Sequence, residues 1–248
     1  MRVCQGMIIL GLLFAIQPHA LADGREASEG ADSPLGARVG SQEPDSRLSD
    51  ESGRTRVVAA PIVWRPNVTG APSGRVGGAV RGTSAFPTPL VLAPDHLALT
   101  LKSTPSLFWH LDGAAPENVT IVFTLVDEAR DAPLIEARLQ PPARAGVNRV
   151  RLSDYGVELK EGEMYIWSIA LVPDMANRAR DQVSLGRLKH VSLDQEVPRE
   201  AREFASRGFW YDALESLSDQ VDADPQDRDA RALRRSLLSQ AGLEVGND

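Results

Sequence analysis

The first residues along the chain whose types and spacing could do chemistry lie in a glycine-rich stretch. Residues 65–89 carry Gly70, Gly74, Gly77, Gly78 and Gly82, with Arg75 and Arg81 flanking the adjacent Gly77 and Gly78. Glycine lets the backbone approach a ligand closely, and arginine offers a fork of donors that fits a carboxylate or phosphate. Arg75, Gly77, Gly78 and Arg81 are therefore candidate contacts to a small anion. The stretch lacks the strand-then-helix setting of a phosphate loop, so a solvated leader is the simpler reading. Asp95 and His96 follow Pro94, with Ser103 close by in sequence. They are candidate interaction residues, but no Gly-x-Ser-x-Gly elbow accompanies them, and a polar turn explains them as well. Asp127, Glu128 and Asp131 cluster after a strand. Glycoside hydrolysis needs two carboxylates facing each other across the scissile bond, which acids of one loop do not supply, and the calcium-loop spacing is missing. His96, His110 and His190 form no zinc motif. Hence no catalytic residue, metal or cofactor is assigned, and the chain reads as a non-enzyme rather than an enzyme. Arg178, Arg180 and Asp181 form one more charged loop, which could join Arg75 and Arg81 at one end of a β body.

Two kinds of element must position these residues. Between residues 90 and 193 apolar side chains alternate: Leu97, Leu99, Leu101; Leu107, Trp109, Leu111; Val119, Ile121, Phe123, Leu125; Ile135, Ala137, Leu139; Val150, Leu152; and Tyr165, Trp167, Ile169, Leu171. A period of two places each set on one face of a strand. His110, on the Phe108 side, is expected to be partly exposed. Turn signals such as Asp112-Gly113 and Glu161-Gly162 separate the runs. About seven short strands of this kind predict an all-β, immunoglobulin- or fibronectin-like sandwich. Gly162 followed by Tyr165 and Trp167 is similar to the tyrosine corner of such sandwiches, whose Tyr hydroxyl bonds to upstream backbone.

After Val197 the period becomes helical. Pro198 can open a first helix, which Gly208 ends. A second runs from about Trp210 to Ala223. Asp224 with Pro225 then reads as the start of a third, which Gly242 stops. Ala201, Phe204, Gly208, Trp210, Ala213, Leu217 and Pro225 stand at the spacing of a single tetratricopeptide repeat. One repeat and a closing helix are too few to stand alone, so the unit should dock on the sandwich or on a partner. Trp210 and Tyr211, at the head of the second helix, are candidate contacts to that partner.

The N-terminus reads as an export signal: Arg2, the apolar run 7–16, then Ala20-Leu21-Ala22, with cleavage before Asp23. The single cysteine, Cys4, leaves with it, which excludes a disulfide framework. No later run is long enough to span a membrane. Lys+Arg number 27 against 34 Asp+Glu, for a net charge of −7, which disfavours nucleic acid. The expected organisation is a signal peptide at 1–22 and a disordered acidic linker at 23–60. A Gly/Pro/Arg-rich leader follows at 61–89, then a β-sandwich at 90–195, a helical unit at 196–243 and a tail at 244–248; the apolar run 57–64 across the start of the leader reads as an edge strand, with Pro61 confining it to an edge or a bend.

A set of motifs runs in order through this framework. Gly74-Arg75-Val76-Gly77-Gly78 and Arg81-Gly82 come first, then Leu92-Ala93-Pro94, Leu99-Thr100-Leu101, Pro105 and Phe108-Trp109. Gly162 with Tyr165-Ile166-Trp167, Leu171-Val172-Pro173-Asp174 and Trp210-Tyr211-Asp212-Ala213-Leu214 follow. On these the chain resembles the bacterial exported family known as domain of unknown function 928. The resemblance implies a bacterial envelope protein, periplasmic or extracellular, and brings no activity or cofactor. The expected function is a non-enzymatic envelope binding or adaptor module engaging a protein partner. An envelope-polymer hydrolase and a small-anion-binding sensor are the alternatives.

Overall fold

The structure, a computed structural model, describes residues 48–49, 55–56, 60–67, 87–130, 133–140, 145–194 and 196–246. The expected signal peptide, nearly all of the expected linker and the leader from 68 to 86 lie outside the described residues. Two two-residue strands, β1 (Leu48–Ser49) and β2 (Thr55–Arg56), come first. The β body follows as β3 (Pro89–Val91), β4 (Ala98–Thr100), β5 (Ser106–Leu111), β6 (Thr120–Asp127), β7 (Pro133–Leu139), β8 (Gly146–Arg151), β9 (Met164–Val172) and β10 (Gln182–His190). They form a five-stranded sheet in the order β4-β10-β9-β6-β7 and a three-stranded sheet in the order β3-β5-β8. Pairing is antiparallel except for β4, which runs parallel to β10.

Alternation locates the inward face on the long strands. Ile121, Phe123 and Leu125 of β6 and Tyr165, Trp167, Ile169 and Leu171 of β9 are all buried. It misleads on β4, where Ala98 and Thr100 are buried while Leu97, Leu99 and Leu101 are only half-buried. The cause is α2 (Trp210–Ala223), which packs beside this edge strand and covers part of its other side. It also misleads on β5, the middle strand of its sheet, which is buried on both faces. His110, expected to be partly exposed, is 4% exposed. β10 turns Gln182, Ser184, Gly186 and Leu188 inward. Gly186 is needed there: a Cβ would sit 2.8 Å from the Ala93 Cβ and 3.0 Å from Trp167 Nε1. The expected Tyr165 bond is present, with the Lys160 N–H donating to its hydroxyl at 2.9 Å.

Three helices complete the fold: α1 (Ala201–Ser206), α2 and α3 (Arg228–Gln240). α1 closes through Gly208 at φ +86°, with the Phe209 N–H returning to the Phe204 carbonyl, a left-handed stop that favours glycine. Two helix starts differ from expectation. Pro198 precedes α1 instead of opening it, and Asp224 accepts from the Gln226 N–H in a turn. Asp227 takes the capping role for α3, accepting from the Asp229 and Ala230 N–H groups, because the turn around Pro225 delays the helix. Trp210, Tyr211, Leu214 and Leu217 join Leu107, Trp109 and Trp167 in one core. The helices therefore dock on the β body.

Candidate functional site

Docking is organised by one face of α2. Asp212, Glu215, Asp219 and Asp222 follow one another at intervals of three, four and three, which places them on one side of a helix. Each meets the β body. Asp212 accepts the Leu101 N–H at 3.0 Å. Glu215 accepts the Ser106 hydroxyl at 2.9 Å and pairs with Lys102 at 3.0 Å. Asp219 and Asp222 hold the two ends of the Arg149 guanidinium, at 2.7 and 3.3 Å. Asp212 is 2% exposed. Burial pushes its carboxyl up to about 6, against the opposing pull of bonds from Leu101 and Thr100 and of the Lys102 charge. Sequence reading missed this row, although its spacing was on view.

Past Arg149 the joint between β8 and the α2–α3 turn opens into a cleft of about 640 Å³. Phe108, Arg149, Ser218, Asp222, Arg231 and Arg234 line it. The Arg149 guanidinium lies 4.7 Å above the Phe108 ring, a cation–π contact that holds it flat. Ser218 is 1% exposed. Its Oγ and the Nε of Arg231 are enclosed with no hydrogen-bond partner.

The helices also grip an extended segment, residues 60–67. Ile62 is 2% exposed and Trp64 packs edge-on to Trp210 at 5.0 Å. Gln240 accepts the Trp64 N–H at 2.8 Å and donates to the Ile62 carbonyl at 3.1 Å. Arg202 donates to the Ala60 carbonyl at 2.7 Å, and the Arg65 N–H donates to the Ala205 carbonyl at 3.1 Å. The Arg65 carbonyl passes so close to Gly208 that a Cβ there would lie 3.1 Å from it. The segment is not part of a strand: side chains and helix carbonyls, not a sheet edge, take its backbone bonds.

The residues singled out by sequence fall elsewhere. Arg75, Gly77, Gly78, Arg81 and Asp131 lie outside the described residues. Asp95 is exposed, and His96 beside it is half-buried with an enclosed, unpartnered Nδ1. Asp127 is buried, accepts the Ala129 N–H and pairs with Arg130, while Glu128 pairs with Arg187. These two carboxylates thus have basic partners of their own. Arg178 pairs with Asp181 within its own loop. Trp210 and Tyr211 are wholly buried. The Trp210 indole donates to the Leu92 carbonyl at 2.8 Å. The Tyr211 hydroxyl accepts from Trp167 Nε1 at 2.9 Å and donates to the Arg187 carbonyl at 3.1 Å. Burial raises that hydroxyl above the usual tyrosine range. Both residues anchor the helices on the β body and present no surface to a partner.

Two β-sheets closed by a short helical unit define the class of protein. The chain belongs to the family Domain of Unknown Function (DUF928), whose family model matches residues 76–247. A search of curated proteins finds no match. Among the described residues no helix is long and apolar enough to cross a membrane.

Proposed function

We propose that this protein is a non-enzymatic binding or adaptor module of the bacterial envelope, and that its helical unit engages a protein partner presented as an extended segment. The observation that carries this reading is the grip on residues 60–67. There the helices hold a stretch of chain by an apolar anchor, an aromatic contact and bonds to its backbone. That is how a peptide-binding surface works: main-chain bonds give affinity and side-chain pockets give selectivity. The Arg2 start, the apolar run 7–16 and the Ala20-Leu21-Ala22 pattern support export. The Tyr165 bond supports an immunoglobulin- or fibronectin-like sandwich. The inward Ala201, Trp210, Ala213 and Leu217, with Gly208 between the helices, support a single tetratricopeptide-like unit.

The test is photo-crosslinking in the native host from two exposed positions bordering the grip, Val63 on the segment and Ser206 on α1. Mass spectrometry of the adducts is expected to return the same envelope protein from both. Adducts confined to the chain itself, or unrelated abundant proteins from each position, would overturn the proposal.

A further inference from the structure

We infer that the cleft between β8 and the α2–α3 turn is a binding site for an oxyanion, a carboxylate or a phosphate, carried on a small apolar group. The first argument is charge. Three arginines, Arg149, Arg231 and Arg234, line the cleft against Asp222 in its wall and Asp219 on Arg149, a local positive excess in a chain whose net charge is −7. The second is unspent hydrogen-bonding capacity. The Ser218 hydroxyl and Arg231 Nε are enclosed without partners, a condition that folded proteins rarely leave unanswered. Both can donate, and both belong to residues that line the cleft; guanidinium and hydroxyl donors are the groups that match the lone pairs of an oxyanion.

The third argument is preorganisation. Arg149 is held between two aspartates and a phenyl ring, so its plane is fixed before a ligand arrives. This lowers the ordering cost of binding. A volume of about 640 Å³ falls in the range of small-ligand sites, and Phe108, Val147 and Val221 supply apolar wall. A small aromatic or aliphatic acid, or a phosphate ester of similar size, fits this description. The site is separate from the grip on residues 60–67 and does not depend on it.

The experiment is calorimetric titration of the whole chain with inorganic phosphate, phenyl phosphate and benzoate. Saturable binding of one or more is expected; preference for phenyl phosphate or benzoate identifies the phosphate or the carboxylate source. Arg231→Lys keeps the charge but loses the fork and is expected to weaken binding about tenfold. Ser218→Ala should weaken it about threefold, with thermal melts checking that both variants fold. Arg235→Met, an exposed position on the same helix outside the cleft, should leave binding unchanged. The inference is overturned by the absence of saturable binding for all three compounds, or by equal losses in Arg231→Lys and Arg235→Met. Loss of oxyanion binding with crosslinking from Val63 intact would separate this site from the proposed partner surface.

Discussion

Replacing Asp212 by asparagine should remove a pH dependence built into the joint between helix and sheet. The carboxyl is 2% exposed and its pKa is raised from 3.8 to about 6, burial being the largest cause. The folded state therefore keeps this proton up to about pH 6, while the unfolded chain releases it near 3.8. Between those values the folded state binds more protons, so this group's contribution to stability is complete below the unfolded value and is lost as pH rises through the folded one. A tenfold difference in proton affinity is worth about 1.4 kcal/mol, so the full swing for this carboxyl is about 3 kcal/mol. In the Asp212→Asn variant the new side chain keeps one oxygen for the Leu101 N–H and turns its amide toward Thr100, whose hydroxyl can accept as well as donate. It has no proton to lose. Urea denaturation of both proteins between about pH 4 and pH 7 isolates the effect, because every other titrating group cancels in the difference between them. The stability of Asp212→Asn relative to the native chain should rise by about 3 kcal/mol across that interval and then level off. A flat difference would show that the bonds from Leu101 and Thr100 and the Lys102 charge cancel burial, and one falling with pH that they outweigh it; either would refute the reasoning.

Three further outcomes follow from contacts at the joint, in the β body and at the grip on residues 60–67. Tyr211→Phe removes the partner of both Trp167 Nε1 and the Arg187 carbonyl, and should cost about 1–3 kcal/mol in chemical denaturation. Gly186→Ala drives a methyl into Ala93 and the Trp167 ring at 2.8 and 3.0 Å; it should cost about 1–3 kcal/mol and quench or shift tryptophan emission. Gln240→Ala releases the Trp64 N–H and the Ile62 carbonyl, and hydrogen exchange at Trp64 should accelerate by about fivefold while β9 amides keep their protection.

The long strands are legible in the sequence because each keeps one continuous inward face: Ile121, Phe123 and Leu125 of β6 and Tyr165, Trp167, Ile169 and Leu171 of β9 are buried without exception. β4 and β5 are not, since α2 packs against each of them, and a strand covered on both sides loses the parity signal. β10 is hidden for another reason. Its inward residues Gln182, Ser184 and Gly186 are small or polar, suited to admit Trp167 and to accept the Val91 N–H on Ser184. The chemistry is harder to read than the fold. Reading by local clusters directs attention to Asp95, His96 and the Asp127 loop. The residues that converge, Phe108, Arg149, Ser218 and Arg231, are far apart in the chain: Phe108 and Arg149 meet through the pairing of β5 with β8, and Ser218 and Arg231 reach them only through the docking of the helices. The acidic row on α2 is the one long-range signal within reach, because a helical interval of acids needs basic and N–H partners on whatever it faces.

The clasp of Gln240 on Ile62 and Trp64 joins residues 178 and 176 positions apart. During synthesis, Ile62 and Trp64 leave the ribosome long before α3 exists to receive them. Contacts of such long range are slow to form, because loop closure has to precede their reward. Closing this clasp therefore belongs to the slow, long-range part of folding, and a chain cut short before Gln240 would keep the contact of Trp64 with Trp210 but lose the bonds that fix the backbone of Ile62 and Trp64.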